Sequence, residues 1–358
     1  RQQLNIRVVG ITGSNGKTST KDFTASVIAQ KFKVNATKGN RNNHIGLPLS
    51  VLSTEEGDQV CVWEMGMSHA GEIAPLCQIA EPDIGIITNI GTAHIEFLKT
   101  REGIAEEKSA LARALPEQGT LILPASCDFV DYLIERTRAK VMIAGNCRGV
   151  VRAEDLRITE TGSIFKLCID QQDEVPVELS VSGKHMVNNA LLAAATGHAL
   201  GMKSPEIAAG LSQAQLTGGR LQKYVSGGVS VIDDTYNANP DSVIAAIDTL
   251  VELPTHNGAR RLVVLGAMAE LGVHSDAEHR RVGKVAAEKN LTVVSVGDGA
   301  RKIYEGAIEV SDDVHQFDDA ESAALWIKDF CKEGDSALFK GSRMAGMEKV
   351  MNQAFPHN

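Results

Sequence analysis

The sequence predicts an α/β protein with two α/β domains, the first built around a phosphate-binding loop. Three observations carry this. β-Branched runs alternate with segments of helical apolar spacing along most of the chain. The stretch "VVGITGSNGKTST", Val8 to Thr20, reads as a strand running through a glycine turn into a helix. The alternation then breaks at "LTGGRLQKY" and starts again. With 358 residues, the chain exceeds one typical core and fits two or three domains.

Taken in order, strands are expected at residues 6–12, 60–65, 84–89, 120–123 and 141–144, with helices at 19–32, 102–115 and 129–136. Such alternation argues for a mainly parallel sheet covered by helices. Across 151–182 the pattern shortens to polar-apolar alternation ("SIFKLCID", "VPVELSV"), which predicts a small antiparallel sheet added to that core. Helices follow at about 186–200 and 205–211. Gly218 and Gly219 then punctuate the chain, placing a first domain at 1–217 and a second, Rossmann-like α/β domain at 218–358. The second has strands at 229–233, 261–265, 292–296 and 336–339 with helices between. Two α/β units joined at a glycine hinge invite a ligand cleft.

Composition narrows the setting. Hydrophobic residues at 43% and charged residues at 23% are those of an ordinary globular protein, and a net charge of -9 leaves no electrostatic footprint for nucleic acid. No apolar run approaches the roughly 18 residues of a membrane span, and no signal peptide opens the chain. Cys61, Cys77, Cys127, Cys147, Cys168 and Cys331 are scattered without a C-x-x-C pair, which fits reduced thiols in a cytoplasm. The chain opens at Arg1, shortly before a core strand, and is expected to be a fragment.

The chemistry starts at the glycine turn. Backbone N–H groups around Gly13, Ser14, Asn15 and Gly16 can face an anion at a helix N-terminus; Lys17 would reach the outer phosphates and the Thr18 hydroxyl would complete a Mg²⁺ shell. The full G-x-x-x-x-G-K-[ST] loop needs glycine at position 11, where this chain has Ile11, so the loop starts at Gly13. Glu64 ends a hydrophobic run before Gly66, either as a magnesium ligand or as an exposed acid at a strand end. Asn89 and His94 hold the corresponding place after the next strand, where a loop histidine is catalytic or structural. Lys108, in "AEEKSAL", reads by position alone as an exposed helical lysine.

In succession, "TGSNGKTST", "GNRNNHIGLPLSVL", "WEMGMSHAGEI", "TNIGTAHIEFL", "GKHMVNNALLAAA", "GGRL", "IDDTYNANPDSV" and "KGSR" resemble the Mur ligases of peptidoglycan synthesis, nearest the branch that adds D-alanyl-D-alanine. The resemblance spans nearly the whole chain; "NNHIGLPLS" and "DDTYNANPDS" are its most specific parts, because folylpolyglutamate synthetases share the phosphate loop. It implies a cytoplasmic, monomeric ATP-dependent amide ligase joining D-alanyl-D-alanine to UDP-N-acetylmuramoyl-tripeptide through an acyl phosphate, without the N-terminal domain that holds the UDP end. A folylpolyglutamate synthetase-like ligase is the alternative.

Residue by residue, the resemblance implies that Gly13 to Ser19, with Lys17 central, hold ATP phosphates, and that Thr18 and Glu64 hold a first magnesium. His94 resembles the histidine of a second metal site, and Lys108 the lysine that these ligases carbamylate, which reverses the positional reading of it. Asn189 matches an asparagine near the adenine; Arg220, Asp234 and Asn237 match groups that close on ATP. Asn42 and Asn43 match polar residues near the reacting carboxylate, and Lys340, Ser342 and Arg343 a run near the incoming dipeptide. Two positions depart from the family pattern: Ala267 in "LGAM" replaces an expected aspartate, and Arg41 stands where an apolar or aromatic residue is common.

Overall fold

The first strand, β1 (Arg7–Thr12), is the axis of a nine-stranded sheet, and its Val8, Val9 and Ile11 are fully buried because strands flank it on both sides. The structure, a computed structural model, describes residues 5–145, 149–170, 172–254 and 258–356; Cys147 lies outside them. After β1 come α1 (Lys17–Ala29), β2 (Val34–Ala36), α2 (Gly46–Leu52), β3 (Val60–Glu64), α3 (Ile73–Ala80), β4 (Ile84–Ile87), α4 (Ile95–Leu98), α5 (Arg101–Ala114), β5 (Thr120–Pro124), α6 (Val130–Ile134) and β6 (Lys140–Ala144). Three longer strands follow, β7 (Val151–Ile158), β8 (Ser163–Ile169) and β9 (Gln172–Leu179), then α7 (Lys184–Ala199) and α8 (Ser204–Ser212).

The strand order is β2-β3-β1-β4-β5-β6-β7-β8-β9. The β1 to β6 ladders are parallel, whereas β8 and β9 pair antiparallel, as the change of pattern after residue 150 predicts. Register sets Glu64 beside Ile11, so its carboxylate reaches the carboxyl edge of the sheet next to the glycine loop. β4 stops at Ile87, two residues before the expected end, because Thr88 and Asn89 turn their polar groups to that loop. Trp63, Leu76, Ile104 and Leu111 anchor one packed face of this core.

A second compact unit takes over at Gly218 and also includes the short pieces Ile158–Thr161 and Val181–Gly183. It contains β10 (Gln222–Ser226), β11 (Val229–Asp234), α9 (Pro240–Glu252), β12 (Arg261–Leu265), α10 (Ser275–Glu288), β13 (Thr292–Val296), α11 (Arg301–Ala307), β14 (Val314–Phe317), α12 (Ala320–Phe330), β15 (Ser336–Lys340) and α13 (Met347–Ala354). The order is β10-β11-β15-β12-β13-β14, with only the β10 edge antiparallel. Its register lines up Asp234, Lys340 and Leu265 at the carboxyl edge. α9 begins on a capping box between Asn239 and Ser242, with Pro240 in its first turn. β2, β10 and β14 are strands that the periodicity did not predict; they are short edge strands with few buried apolar positions. Among the described residues no helix is long and apolar enough to cross a membrane.

Candidate active site

The glycine loop is shaped by close approach. Gly13 has φ +150 and Gly16 φ +78; a Cβ on Gly13 would lie 1.8 Å from Thr88 Oγ1, and one on Gly16 2.5 Å from Asn189 Oδ1. The β4 exit staples this loop from behind. Ser14 N–H donates to the Asn89 carbonyl (3.1 Å) and Asn15 N–H to Asn89 Oδ1 (2.9 Å). Gly91 N–H donates to Ser14 Oγ (2.9 Å), and the Thr88 hydroxyl to the Asn15 carbonyl. Two of the four amides expected to face an anion therefore serve the loop itself, which leaves the cradle to Gly13, Gly16 and the start of α1. That helix has no acidic residue in its first turn and no side-chain cap, and Ser19 is buried within it. Lys17 Nζ donates to the Gly13 carbonyl at 2.8 Å, so the ammonium lies along the loop.

Glu64 is 3% exposed, yet both of its oxygens accept from neutral groups: Oε2 from the Thr18 hydroxyl (2.8 Å) and Oε1 from Asn42 Nδ2 (2.9 Å). Its backbone N–H donates to Thr37 Oγ1 (2.9 Å). Among the described residues no Lys, Arg or His forms an ion pair with this carboxylate. A buried anion without a counter-charge, next to a hydroxyl of the phosphate loop, is the oxygen-rich donor set a hard divalent cation needs. Asn42 is fixed in turn by its carbonyl, which accepts Gly66 N–H at 2.7 Å. Asn43 faces elsewhere: its Oδ1 accepts the N–H groups of Ile45 (3.1 Å) and Gly46 (2.9 Å) and so starts α2. Arg41 is exposed, and its backbone packs so near Gly46 that a Cβ there would lie 2.3 Å from Arg41 Cα.

Lys108 is 1% exposed on α5, and among the described residues its side chain has neither ion pair nor hydrogen bond. Burial pushes its amine well below the ordinary lysine range; the positive charge of Lys17 acts the same way, and Glu107 opposes it. Glu107 itself accepts from Gly71 N–H (2.7 Å) and Ile73 N–H (2.8 Å), which holds the loop after β3 against α5. His94, half-buried, precedes α4 with a left-handed φ of 64. Asn189 is 8% exposed on α7 and borders Gly16, as the close approach above requires.

In the second unit, Lys340 and Asp234 spend their charges on each other. Lys340 Nζ lies 2.6 Å from Asp234 Oδ2 and donates to the Asn237 carbonyl at 2.9 Å. Burial raises the Asp234 carboxyl, while Lys340 and Arg220 pull it back. The Arg220 guanidinium stacks 4.2 Å over the Tyr236 ring. Leu221 holds a left-handed φ of 53, a strain of about 1–2 kcal/mol, and its N–H donates to Asp234 Oδ1 at 3.3 Å. Asn237 Oδ1 accepts Ala238 N–H at 2.9 Å. Ser342 is buried and Arg343 exposed, with Arg343 3.6 Å from Glu348. Ala267 contributes only a methyl group to the turn after β12, and its carbonyl accepts Ser342 N–H at 2.9 Å.

The Mur ligase middle domain matches residues 11–197, and the Mur ligase glutamate ligase domain matches 219–343. The UDP-N-acetylmuramoyl-tripeptide--D-alanyl-D-alanine ligase of Bacillus subtilis is 36% identical over 98% of this chain and 76% of its own length. The chain belongs to the Mur ligase family. Among solved structures, MurF from Acinetobacter baumannii superposes with a TM-score of 0.91 at 34% identity, covering 99% of this chain and 77% of that one. MurF from Thermotoga maritima, solved with ADP, gives 0.89 at 30% identity, covering 99% and 80%.

Within this Mur ligase, sequence reasoning gave no role to Thr37 and left Asn89 without one. The polar residues after β4 were the available signal for Asn89; nothing local marks Thr37, whose partner is 27 residues away. Glu154, Cys168 and Glu174 also gather, with ligand atoms within 4.8 Å of one another. Arg152 and Lys166 already sit 3.5 Å and 3.1 Å from those carboxylates, so that cluster is charge-compensated without an ion.

Proposed function

We propose that this chain is an ATP-dependent amide ligase that joins D-alanyl-D-alanine to the terminal carboxylate of UDP-N-acetylmuramoyl-tripeptide through an acyl phosphate. The observation that carries this reading is the junction of Thr18, Glu64 and Asn42. It couples the phosphate loop to an uncompensated buried carboxylate, in a chain whose Bacillus subtilis relative bears that ligase name. The same name favours the muramoyl peptide over a folate as acceptor.

The chemistry follows from charge. A carboxylate attacking the γ-phosphate of ATP brings two anions together, and that approach needs cations between them. Lys17 supplies one from the loop. Thr18 with Glu64, and His94 with Lys108, would hold two magnesium ions, which supply the remaining positive charge when bound. Lys108 fits only after modification, because an ammonium has no lone pair to give and a neutral amine is a poor ligand for a hard, oxygen-seeking cation. Burial favours its neutral form, whose Nζ lone pair can attack CO2; an N–C bond forms, a proton leaves, and the resulting carbamate is an oxygen ligand.

The carboxylate oxygen then bonds to the γ-phosphorus as the bond to ADP breaks. The dipeptide amine attacks the acyl carbon, the tetrahedral adduct expels phosphate, and the amine proton is lost. Asn189 would border the adenine and Arg220 the nucleotide, with Asn42 orienting the Glu64 carboxylate. Ser342 and Arg343 would meet the dipeptide, with Lys340 bracing their strand end.

The test is phosphate release from ATP and Mg²⁺ with UDP-N-acetylmuramoyl-tripeptide, with and without D-alanyl-D-alanine. It is run on this chain and on the chain fused to the part of the Bacillus subtilis relative that it does not match. Dipeptide-dependent release with a product heavier by the dipeptide less water is expected. ATP binding by both proteins without any response to the dipeptide would overturn the reading.

A further inference from the structure

The second unit contains a histidine whose two ring nitrogens both have backbone partners, and the chemistry above gives it no task. His279 on α10 is 2% exposed. Its Nε2 accepts the N–H of Met268 at 2.9 Å; its Nδ1 lies 2.8 Å from the Ser275 carbonyl and 3.3 Å from the Ser275 hydroxyl. A donor on one side and a carbonyl on the other admit one arrangement, a neutral ring with its proton on Nδ1. Burial favours the same neutral form by lowering the ring's proton affinity, against the opposing charges of Asp276 and Glu278.

Met268 lies in the turn that leaves β12. On its other side this turn is bonded to the end of β15: Gly266 N–H donates to the Lys340 carbonyl and Ser342 N–H to the Ala267 carbonyl, both at 2.9 Å. Of the three turn residues, Met268 alone has a sizeable side chain, and it is buried. Gly266 has no room for one, since a Cβ there would lie 2.6 Å from Met347 Sδ, and Ala267 offers a methyl group. The Met268 side chain anchors one end of the turn, and its backbone is held by the imidazole behind it and the β15 end in front.

We propose that His279 is a positioning residue for the amine-receiving loop: by holding Met268 N–H it sets the 266–268 turn, and through that turn the placement of Lys340 and Ser342. This rests on the reading that residues 340–343 meet the dipeptide. The imidazole touches no substrate and acts only through the turn. A glutamine can still offer an acceptor to Met268, whereas a leucine of similar bulk cannot.

The test compares His279→Gln and His279→Leu with the unmodified chain in two ways. The first is amide hydrogen exchange at Met268 and Ser342, with Val264 and Val294 in the strand core as controls. The second is KM for D-alanyl-D-alanine against KM for ATP and kcat. In the leucine variant, exchange at both turn amides should rise about tenfold and KM for the dipeptide should rise by a similar factor, with KM for ATP nearly unchanged. Glutamine should restore both to within about threefold. If the leucine variant does not fold, His279→Asn, whose shorter amide cannot span to Met268, takes its place. Faster exchange confined to Met268, or a glutamine variant no better than leucine, would overturn the proposal. Failure of the ligase reading is distinguishable, because the unmodified chain would then show no dipeptide-dependent phosphate release while the exchange arm still reports on the turn.

Discussion

Two of the buried lysines, Lys108 in the first unit and Lys340 in the second, meet opposite fates, while Lys21 of the first unit is paired with Asp22 at 2.6 Å. Lys340 is 3% exposed and rests on a carboxylate at 2.6 Å; Lys108 is 1% exposed and rests on none among the described residues. The carboxylates repeat the contrast. Asp234 is closed by Lys340, while among the described residues Glu64 is held only by a hydroxyl and an amide. Burying charge is costly unless a partner offsets it. The second unit offsets this pair of charges internally. The first has left an amine and a carboxylate uncompensated beside a phosphate loop, and such groups await charge that a ligand brings.

The sharpest way to break this comparison is to remove each lysine in turn. Lys108→Met should lower dipeptide-dependent phosphate release about a thousandfold while raising the melting temperature, since an unpaired buried amine is lost. Lys340→Met should do the reverse to the fold, costing about 3–5 kcal/mol by stranding Asp234, with much of that regained in the double variant with Asp234→Asn. Urea unfolding of both, alongside the phosphate assay, decides it. Equal destabilisation by the two substitutions would mean that the contrast has no energetic content.

A smaller effect is expected at the carboxylate. Glu64→Gln should raise the magnesium needed for half-maximal phosphate release at least about tenfold without loss of stability, because the amide can still meet Thr18 and Asn42. A titration at fixed ATP checks this, and an unchanged magnesium requirement would remove Glu64 from the cation site. Next comes Gly16→Ala. With φ at +78 and Asn189 Oδ1 at 2.5 Å, the added methyl group should weaken ATP binding about tenfold by calorimetry.

The smallest effect belongs to the neutral histidine of the second unit. Burial holds His279 below its ordinary value of 6.5, so below that pH the unfolded chain binds the proton more readily than the folded one. The stability contribution is therefore complete above about 6.5 and is lost as pH falls through the lowered folded value. His279→Gln should flatten that part of a melting-temperature profile between about pH 5 and 7. An identical slope in both proteins would assign the titration to another group.

Much of the fold was legible because its signals are local. The runs at 229–233, 261–265 and 292–296 became β11, β12 and β13 with at most one residue of difference, since consecutive β-branched residues buried on both faces can hardly be anything else. The glycine loop was legible from its spacing, although the diversion of the Ser14 and Asn15 amides to Asn89 was not. The edge strands β2, β10 and β14 escaped, because half-buried strands carry a weak period. Of the site, Lys17, Thr18 and Glu64 could be argued from spacing and strand ends. Lys108 looked like a surface lysine until the family resemblance reversed it, and the structure explains why: α5 turns that position inward.

What the sequence determined alone was therefore whatever neighbours in the chain decide: the strand-turn-helix of the phosphate loop, the break at Gly218, the alternation of strands and helices and the family. What only the tertiary structure decided was compensation of charge. Whether a buried lysine or carboxylate finds its partner depends on residues as far apart as Thr18 and Glu64, or Asp234 and Lys340, brought together by sheet register. Local propensity and periodicity hold no record of those distances.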